Sequence, residues 1–355
     1  MPPVVAAKPD AAVDAPAVSD DEKLAAIQKA MNELSPASQQ CWAAAAAIRF
    51  DLEGELAAQI EIGPPTRVTF VRDTTHSPAL AACVQQLLTA YPWAPPLHGE
   101  AIQLPFKFSA PAGQSVIDRR LVPFAGQGKL SVAVLLDENN TNNANVSMFE
   151  LAIAAGGTTG LRTAPRAELW WFLGEATVRS VTLAATKVSA ETMMYVPAGG
   201  AREVSAMSAD LHAVIVIAPG GPEGAARAGA LPTPALTSWL SAPPKPVIIT
   251  PAQASHAKGH EIFVDPAKMP GVPFSASIAT LAAGAEVPEH IHAKETELLY
   301  CTSGEGVLMV NGATLVLNDS SVVQIPPNTK HSAIGKATMR ALQIYAPAGP
   351  EQRFK

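Results

Sequence analysis

"GAEVPEHIHAKETELLYCTSG", residues 284–304, is the stretch on which the reading of this chain turns. The chain has 8 histidines in 355 residues, yet His290 and His292 stand one residue apart, with Glu297 close behind and Gly284 and Gly304 at the ends. Side chains two apart on a strand face the same side, so both imidazoles point into a barrel if either does. Glu297 has the opposite parity, and its carboxylate rejoins the histidines only if "AKET" forms a turn or bulge. Downstream, "PPNTKH" brings in His331 after a proline-rich turn. Three imidazoles and one carboxylate converging on one point hold a divalent transition cation and leave one or two positions for water or substrate. The plainer alternative leaves His290 and His292 on an exposed edge and Glu297 in solvent. Glu295 competes with Glu297 as the carboxylate. Cys301, which shares the parity of Glu297, either faces the lumen or fills the core as a small apolar residue.

The composition narrows the partners. With 48% hydrophobic residues, the chain is long and apolar enough for two or three domains. A formal net charge of -6 and only 16% charged residues exclude a basic footprint for nucleic acid or an anionic membrane surface. No apolar run approaches the ~18 residues of a membrane helix, and the N-terminus lacks the basic and apolar regions of a secretion signal. A small molecule or a metal is the expected partner. Residues 1–20, "MPPVVAAKPDAAVDAPAVSD", follow neither a helical nor a strand period and read as a disordered tether. A tether implies an anchor, so one expectation is a preceding leader of lipoprotein type; an ordinary frayed terminus fits the residues comparably.

Residues 21–112 alternate helix and strand signals. "DEKLAAIQKAM" opens with acids and repeats apolar residues at helical spacing, while "SPASQQCWAAAAAI" and "SPALAACVQQLLTAY" each begin with Ser-Pro, a helix N-terminal signature. "GELAAQIEIG" and "TRVTFVRD" alternate in period 2 around "PPT", as a hairpin does, and "AIQLPFKFSA" returns as a last strand. Cys41 and Cys83 lie on the two Ser-Pro helices. An oxidising compartment would pair them and a reducing one would leave two buried thiols, and spacing alone leaves both open.

Further on, short apolar runs punctuated by Gly, Pro and Asn predict an all-β region. "LLDENNTNNANVSM" reads as a surface loop, and "PGGPEGAARAGALPTPALTSWLSAPPKP" as a long connection with a short helix around "TPALTSWL". The β regions on either side look alike: "LAIAAGGTTG…AELWWFLGEATV" before "MMYVPAGGAREV", and "IATLAAGAEV…TELLYCTSGEGVLMV" before "VVQIPPNTKHSA". Such repetition predicts two copies of one barrel, over 113–228 and 254–355, joined by a linker at 229–253.

The order Gly284, His290, His292, Glu297, Gly304, with five, one, four and six residues between them, resembles the first motif of the cupin family. Pro326, five before His331, resembles the second. The resemblance implies two jelly-roll (double-stranded β-helix) barrels and a metal in the second, held by His290, His292, Glu297 and His331. The first copy departs from it. Aligned from Gly156, the two histidine positions hold Arg162 and Ala164, the acid is Glu168, and Arg202 follows Pro197 where the last histidine belongs. Arginine does not coordinate metal, so the first barrel is expected to bind none. Its arginines form an internal ion pair with Glu168 or take an anionic ligand, and Trp170 and Trp171 alternate into packing roles.

The N-terminal order, a Cys-bearing helix, a hairpin, a second Cys-bearing helix and a strand ending in "PFKF", resembles the TonB C-terminal-like domains of cell-envelope proteins. That resemblance lacks the membrane helix and spanning arm of an energy transducer. It implies a docking or scaffold role with an envelope protein partner, a location in the periplasm or cell envelope with the cytoplasm as alternative, and a Cys41–Cys83 disulfide.

The expected protein is mainly β, two cupin barrels after a small α+β domain, monomeric, with one divalent transition metal (Fe, Mn, Ni, Cu or Zn) and a small-molecule ligand or substrate. Two classes of function fit: a metalloenzyme (oxygenase, isomerase or decarboxylase) acting on a small oxygenated molecule, or a non-catalytic envelope receptor or scaffold. An enzyme requires an acid or base near the open coordination position, and within the motifs only Tyr300 and Lys330 qualify.

Overall fold

The computed structural model describes residues 18–46, 52–108 and 116–350, so the expected tether at 1–20 falls almost wholly outside the described residues. Two compact units result: a smaller one that ends at Phe108 and a larger one that holds the barrels.

The smaller unit contains the helix Asp20–Ala46 as far as Trp42, the strands Gly54–Glu61 and Arg67–Asp73, the helix Pro78–Ala90 and the strand Ala101–Phe108. Gly54–Glu61 is the centre of its antiparallel three-stranded sheet. The two helices expected ahead of the hairpin are one helix of 27 residues with Pro36 inside it. Ala30, Leu34, Ser38 and Cys41 are all buried and form one stripe straight through the proline, so packing outweighs the start signal that Ser-Pro carries. In the second helix the Ser77 hydroxyl accepts from the backbone N–H of Leu80, and Leu80, Val84 and Leu88 form its buried face. Cys41 and Cys83 are disulfide-bonded, with Cα atoms 5.8 Å apart.

The larger unit is two β-barrels, each built from a seven-stranded and a four-stranded antiparallel sheet. In the first barrel the large sheet is centred on Ala167–Phe172 and Leu211–Ala218, and the small one joins Arg162–Ala164 to Gly200–Ala206. In the second, Thr296–Ser303 and Met339–Ala346 hold the centre, and the small sheet joins Glu286–His290 to His331–Gly335. The mainly β class with barrels after a small α+β part is the class expected. Two short strands cross over: Val116–Asp118 pairs with Ser321–Ile325 of the second barrel, and Val247–Ile249 pairs with Met193–Val196 of the first. Each barrel thus completes the other's large sheet, a long-range pairing that local periodicity cannot reveal.

Among the described residues of the larger unit, strand alternation divides the apolar residues into three cores. Trp170 enters the interior of the first barrel and Cys301 that of the second. Trp171 and Tyr300 enter a third core between the two large sheets, where their rings meet edge to face at 6.1 Å. Two loops differ from expectation. The Asn-rich segment lies at the surface as expected, with Glu138, Asn139, Asn142 and Asn145 exposed, but it holds a helical turn, Glu138–Thr141, capped by Asp137, that buries Asn140. Around "TPALTSWL" there is no helix; that stretch runs beside Arg162–Ala164, with Ala235 bridged to Arg162.

Candidate metal centre

His290 ends the strand Glu286–His290, directly opposite His331, which begins the strand His331–Gly335. His292 lies past the strand end, so convergence of the two histidines comes from the connection that follows as well as from strand parity. The expected turn in "AKET" is there, and the chain re-enters a strand at Thr296 with the Glu297 side chain inward. The flanking glycines have a backbone reason. Gly284 and Gly304 have φ of +76° and +85°, and a Cβ on Gly304 would lie 2.2 Å from the carbonyl oxygen of Thr338. The second motif braces the first: Asn328, at φ 60°, donates its backbone N–H to the His292 carbonyl at 2.7 Å.

One ligand atom from each of His290, His292, Glu297 and His331 lies within 4.8 Å of the others. Glu297 Oε2 is 3.2 Å from both His292 Nε2 and His331 Nε2. All three atoms are buried, yet none makes an aligned hydrogen bond. Such orphaned groups cost about 1–3 kcal/mol each, and a cation at their common focus removes that cost. The ring orientations agree. The Nδ1 atoms of His290 and His331 lie 2.8 and 2.9 Å from the carbonyl oxygens of Pro288 and Thr329. A carbonyl only accepts, so Nδ1 carries the proton and the Nε2 lone pair faces the centre. The cluster is suited to one metal ion.

Charge follows the same geometry. Burial opposes the charge on Glu297, but His292 and His331 beside it hold its carboxyl well below the usual carboxylate range. Burial likewise works against protonation of His331, and the Glu297 carboxylate outweighs it, raising the imidazole above its ordinary value. His290 is lowered, chiefly by burial. The other oxygen of Glu297 accepts from Gln343 Nε2 at 2.7 Å, and Gln343 Oε1 accepts from Ser277 Oγ at 3.3 Å.

The cluster opens on a cavity of about 480 Å³. Leu299, Cys301, Leu308, Met339 and Ala341 form much of its wall, with His260, Thr280, Gln343 and Tyr345 among its polar side chains. Cys301 therefore both faces the lumen and packs in the core; it is unpaired, and burial pushes its thiol up to about 12. Glu295 lies outside the cluster. Neither acid-base candidate reaches the cavity. Tyr300 faces the other way, donating to Glu150 at 3.1 Å, and Lys330 pairs with Glu289 at 3.5 Å in solvent. Sequence reasoning missed Gln343, whose signal was a single amide in the apolar run "ALQIYA", and His260, which no motif spacing marks.

The first barrel repeats the register with other chemistry. Arg162 is opposite Arg202 as His290 is opposite His331, and Glu168 is opposite Val196 as Glu297 is opposite Ile325. Arg202, 1% exposed, makes two 3.1 Å hydrogen bonds to the two oxygens of Glu168, itself 0% exposed. Trp170 Nε1 donates to the same carboxylate at 2.7 Å, and the guanidinium lies 4.7 Å from that indole's centroid. The ion pair is as expected for Arg202, but Arg162 takes no part; it donates to the carbonyls of Thr159 and Thr233.

Residues 277–345 match the family model of the cupin domain. The match lies within the C-terminal barrel. No curated protein matches the chain in sequence. Among solved structures, it is similar to an oxalate decarboxylase of Bacillus subtilis with Mn(II) centres, at 13% identity and a TM-score of 0.52 over 65% of this chain and 76% of that one. It is similar also to the formate complex of Lactobacillus farciminis oxalate decarboxylase, at 14% identity and a TM-score of 0.51 over 65% of this chain and 86% of that one. At such identities the likeness establishes a shared fold alone, two β-barrels in one chain.

Proposed function

We propose that the C-terminal cupin barrel holds one divalent transition metal on His290, His292, Glu297 and His331 and uses its open position to bind and convert a small oxygenated molecule. The observation that carries this reading is the trio of buried, orphaned ligand atoms facing a cavity instead of packed core. Bound there, the cation supplies Lewis acidity towards an oxygen donor or, if redox-active, oxygen chemistry. The chain's residues do the rest. Glu297 offsets part of the cationic charge, Gln343 fixes its carboxylate, and the apolar wall keeps bulk water away. His260, on that wall, is kept towards its neutral form by burial and is a proton acceptor outside the donor set. Fe, Mn, Ni, Cu and Zn all suit three imidazoles and a carboxylate, and the first barrel, filled by Arg202, holds none.

A second reading, a non-catalytic receptor for a small ligand, is favoured by the scarcity of proton-transfer groups on the wall. The helix, hairpin, helix and strand of the smaller unit and its disulfide support a TonB C-terminal-like docking domain in the periplasm or cell envelope. No described helix is long and apolar enough to cross a membrane.

The test is metal per chain by mass spectrometry on untagged protein beside His331→Ala, followed by oxygen uptake and carbon dioxide release with oxalate and other small oxygenated acids. About one metal per chain, lost in the variant, together with turnover supports the enzyme. Binding without turnover favours the receptor, and no metal after supplementation overturns the metalloenzyme and leaves a metal-free ligand-binding receptor or scaffold.

A further inference from the structure

The lumen changes character along its axis. On the central strand, the inward residues run Glu297, Leu299, Cys301, and beside them run Tyr345, Gln343, Ala341 and Met339. The small sheet repeats this, with the His331 level followed by Ala333 opposite Leu308. At about 3.3 Å per residue, the walls beyond the donor set continue for roughly 13 Å, and beyond Gln343 they are apolar apart from His260, which stands beside Ala279 at the level of Ala341. The cavity of about 480 Å³ has room for roughly sixteen waters at about 30 Å³ each. It ends near Lys258 and Glu286, exposed residues of opposite charge.

From this gradient we infer that the ligand is an amphiphile: one singly charged oxygen-donor head, such as a carboxylate, at the His–Glu cluster, and an aliphatic or alicyclic body of roughly seven to twelve non-hydrogen atoms along the apolar wall. The inference rests on the metal reading above. A divalent cation with one glutamate and neutral imidazoles keeps a net charge of one, which a single anionic head balances. A compact dianion leaves an unbalanced charge and an empty, dry-walled space. The apolar body instead gains about fourfold in affinity for each buried methylene.

The experiment is calorimetry on zinc-loaded full-length chain with acetate, succinate and octanoate, with metal content measured in the same samples. Octanoate is expected to bind at least ~30-fold more tightly than acetate, and succinate no more tightly than acetate. In Ala333→Leu, and independently in Ala279→Leu, the added side chain occupies cavity space. Either should cut the octanoate advantage about tenfold while acetate affinity and metal content stay the same. Octanoate and acetate binding within threefold of each other, or succinate binding most tightly, overturns the inference. So does unchanged octanoate binding in metal-free His331→Ala, because the head would then lie elsewhere. A chain that takes up no metal overturns the underlying reading; a metal-bearing chain without length preference overturns this inference alone.

Discussion

The two barrels bury an acid at the same register position and answer its charge in opposite ways. In the first, Glu168 receives a cation from the chain itself: Arg202 with two hydrogen bonds, and Trp170 closing the remaining approach. In the second, Glu297 faces imidazoles whose Nε2 atoms point at it without hydrogen bonds, and the space beyond stays open. A buried carboxylate requires a positive partner in both cases. One copy carries it covalently and gains a filled core; the other leaves the place for an ion and gains a reachable coordination position. The sharpest break of this comparison is at the histidines. His290→Ala with His292→Ala should drop metal content from about one per chain to below about a tenth, measured by mass spectrometry, while Arg162→Ala and Arg202→Ala should leave it unchanged. Full occupancy in the double histidine variant would sink the site.

The next largest effect belongs to the filled barrel. Glu168→Gln leaves the Arg202 guanidinium buried without its counter-charge and should cost about 3–5 kcal/mol in denaturant unfolding, with metal content intact. Adding Arg202→Met should recover more than half of that loss, since a well-packed apolar pair avoids the desolvation penalty. If Glu168→Gln costs under about 1 kcal/mol, the ion pair does not hold this core. Smaller again is Gln343→Leu, which removes the donor to Glu297 Oε1. Loss of such an outer hydrogen bond should weaken metal affinity about 10–100-fold without unfolding the barrel, as competition with a chromogenic chelator would show.

Acid offers a further separation of metal-free and metal-bound states. In the metal-free barrel His331 is raised, so its contribution to stability is complete below the ordinary value of 6.5 and is lost as pH climbs through the raised value. Glu297 is depressed, so its contribution is present above 4.5 and is lost as pH falls through the lowered value. The metal-free barrel is therefore best supported between these two ordinary values. Metal binding instead must displace the proton of His331, so affinity should fall about tenfold per pH unit once pH drops below the raised value. Opposite pH trends for apo stability and metal affinity are the expected result; parallel trends would mean that His331 is not a ligand.

Much of this was legible in the sequence because it depends on local spacing. The histidine pair, the acid after a turn and the second-motif histidine are set by strand period and turn chemistry, and the matched positions Arg162 and Arg202 followed from the same spacing, with Glu168 one residue short of it. Residues whose role depends on a distant strand were not legible. Gln343 reaches Glu297 from across the sheet, and Tyr300, read as near the metal, points into the core between the barrels because alternate residues face opposite ways. Pro36 misled for a related reason: a start signal is local, whereas the buried stripe that overrides it is tertiary.

The smallest expected effect asks whether the two barrels are chemically independent. Asn143 and Asn145, on the Asn-rich loop of the first barrel, donate to Thr296 Oγ1 of the second at 2.8 and 3.1 Å. Thr296 is fully buried and directly precedes Glu297, so the loop grips the strand that carries the acid. A neutral hydrogen bond contributes about 0.5–1.5 kcal/mol. Asn143→Ala should therefore cost about 1 kcal/mol, and the Asn143→Ala, Asn145→Ala pair about 2, because a buried hydroxyl then lacks both donors. Metal affinity should change less than about threefold, since Gln343 continues to hold the carboxylate from the other side. A tenfold loss of affinity in the double variant would mean that the metal-free barrel positions the acid of its neighbour, and that the filled copy serves the open one.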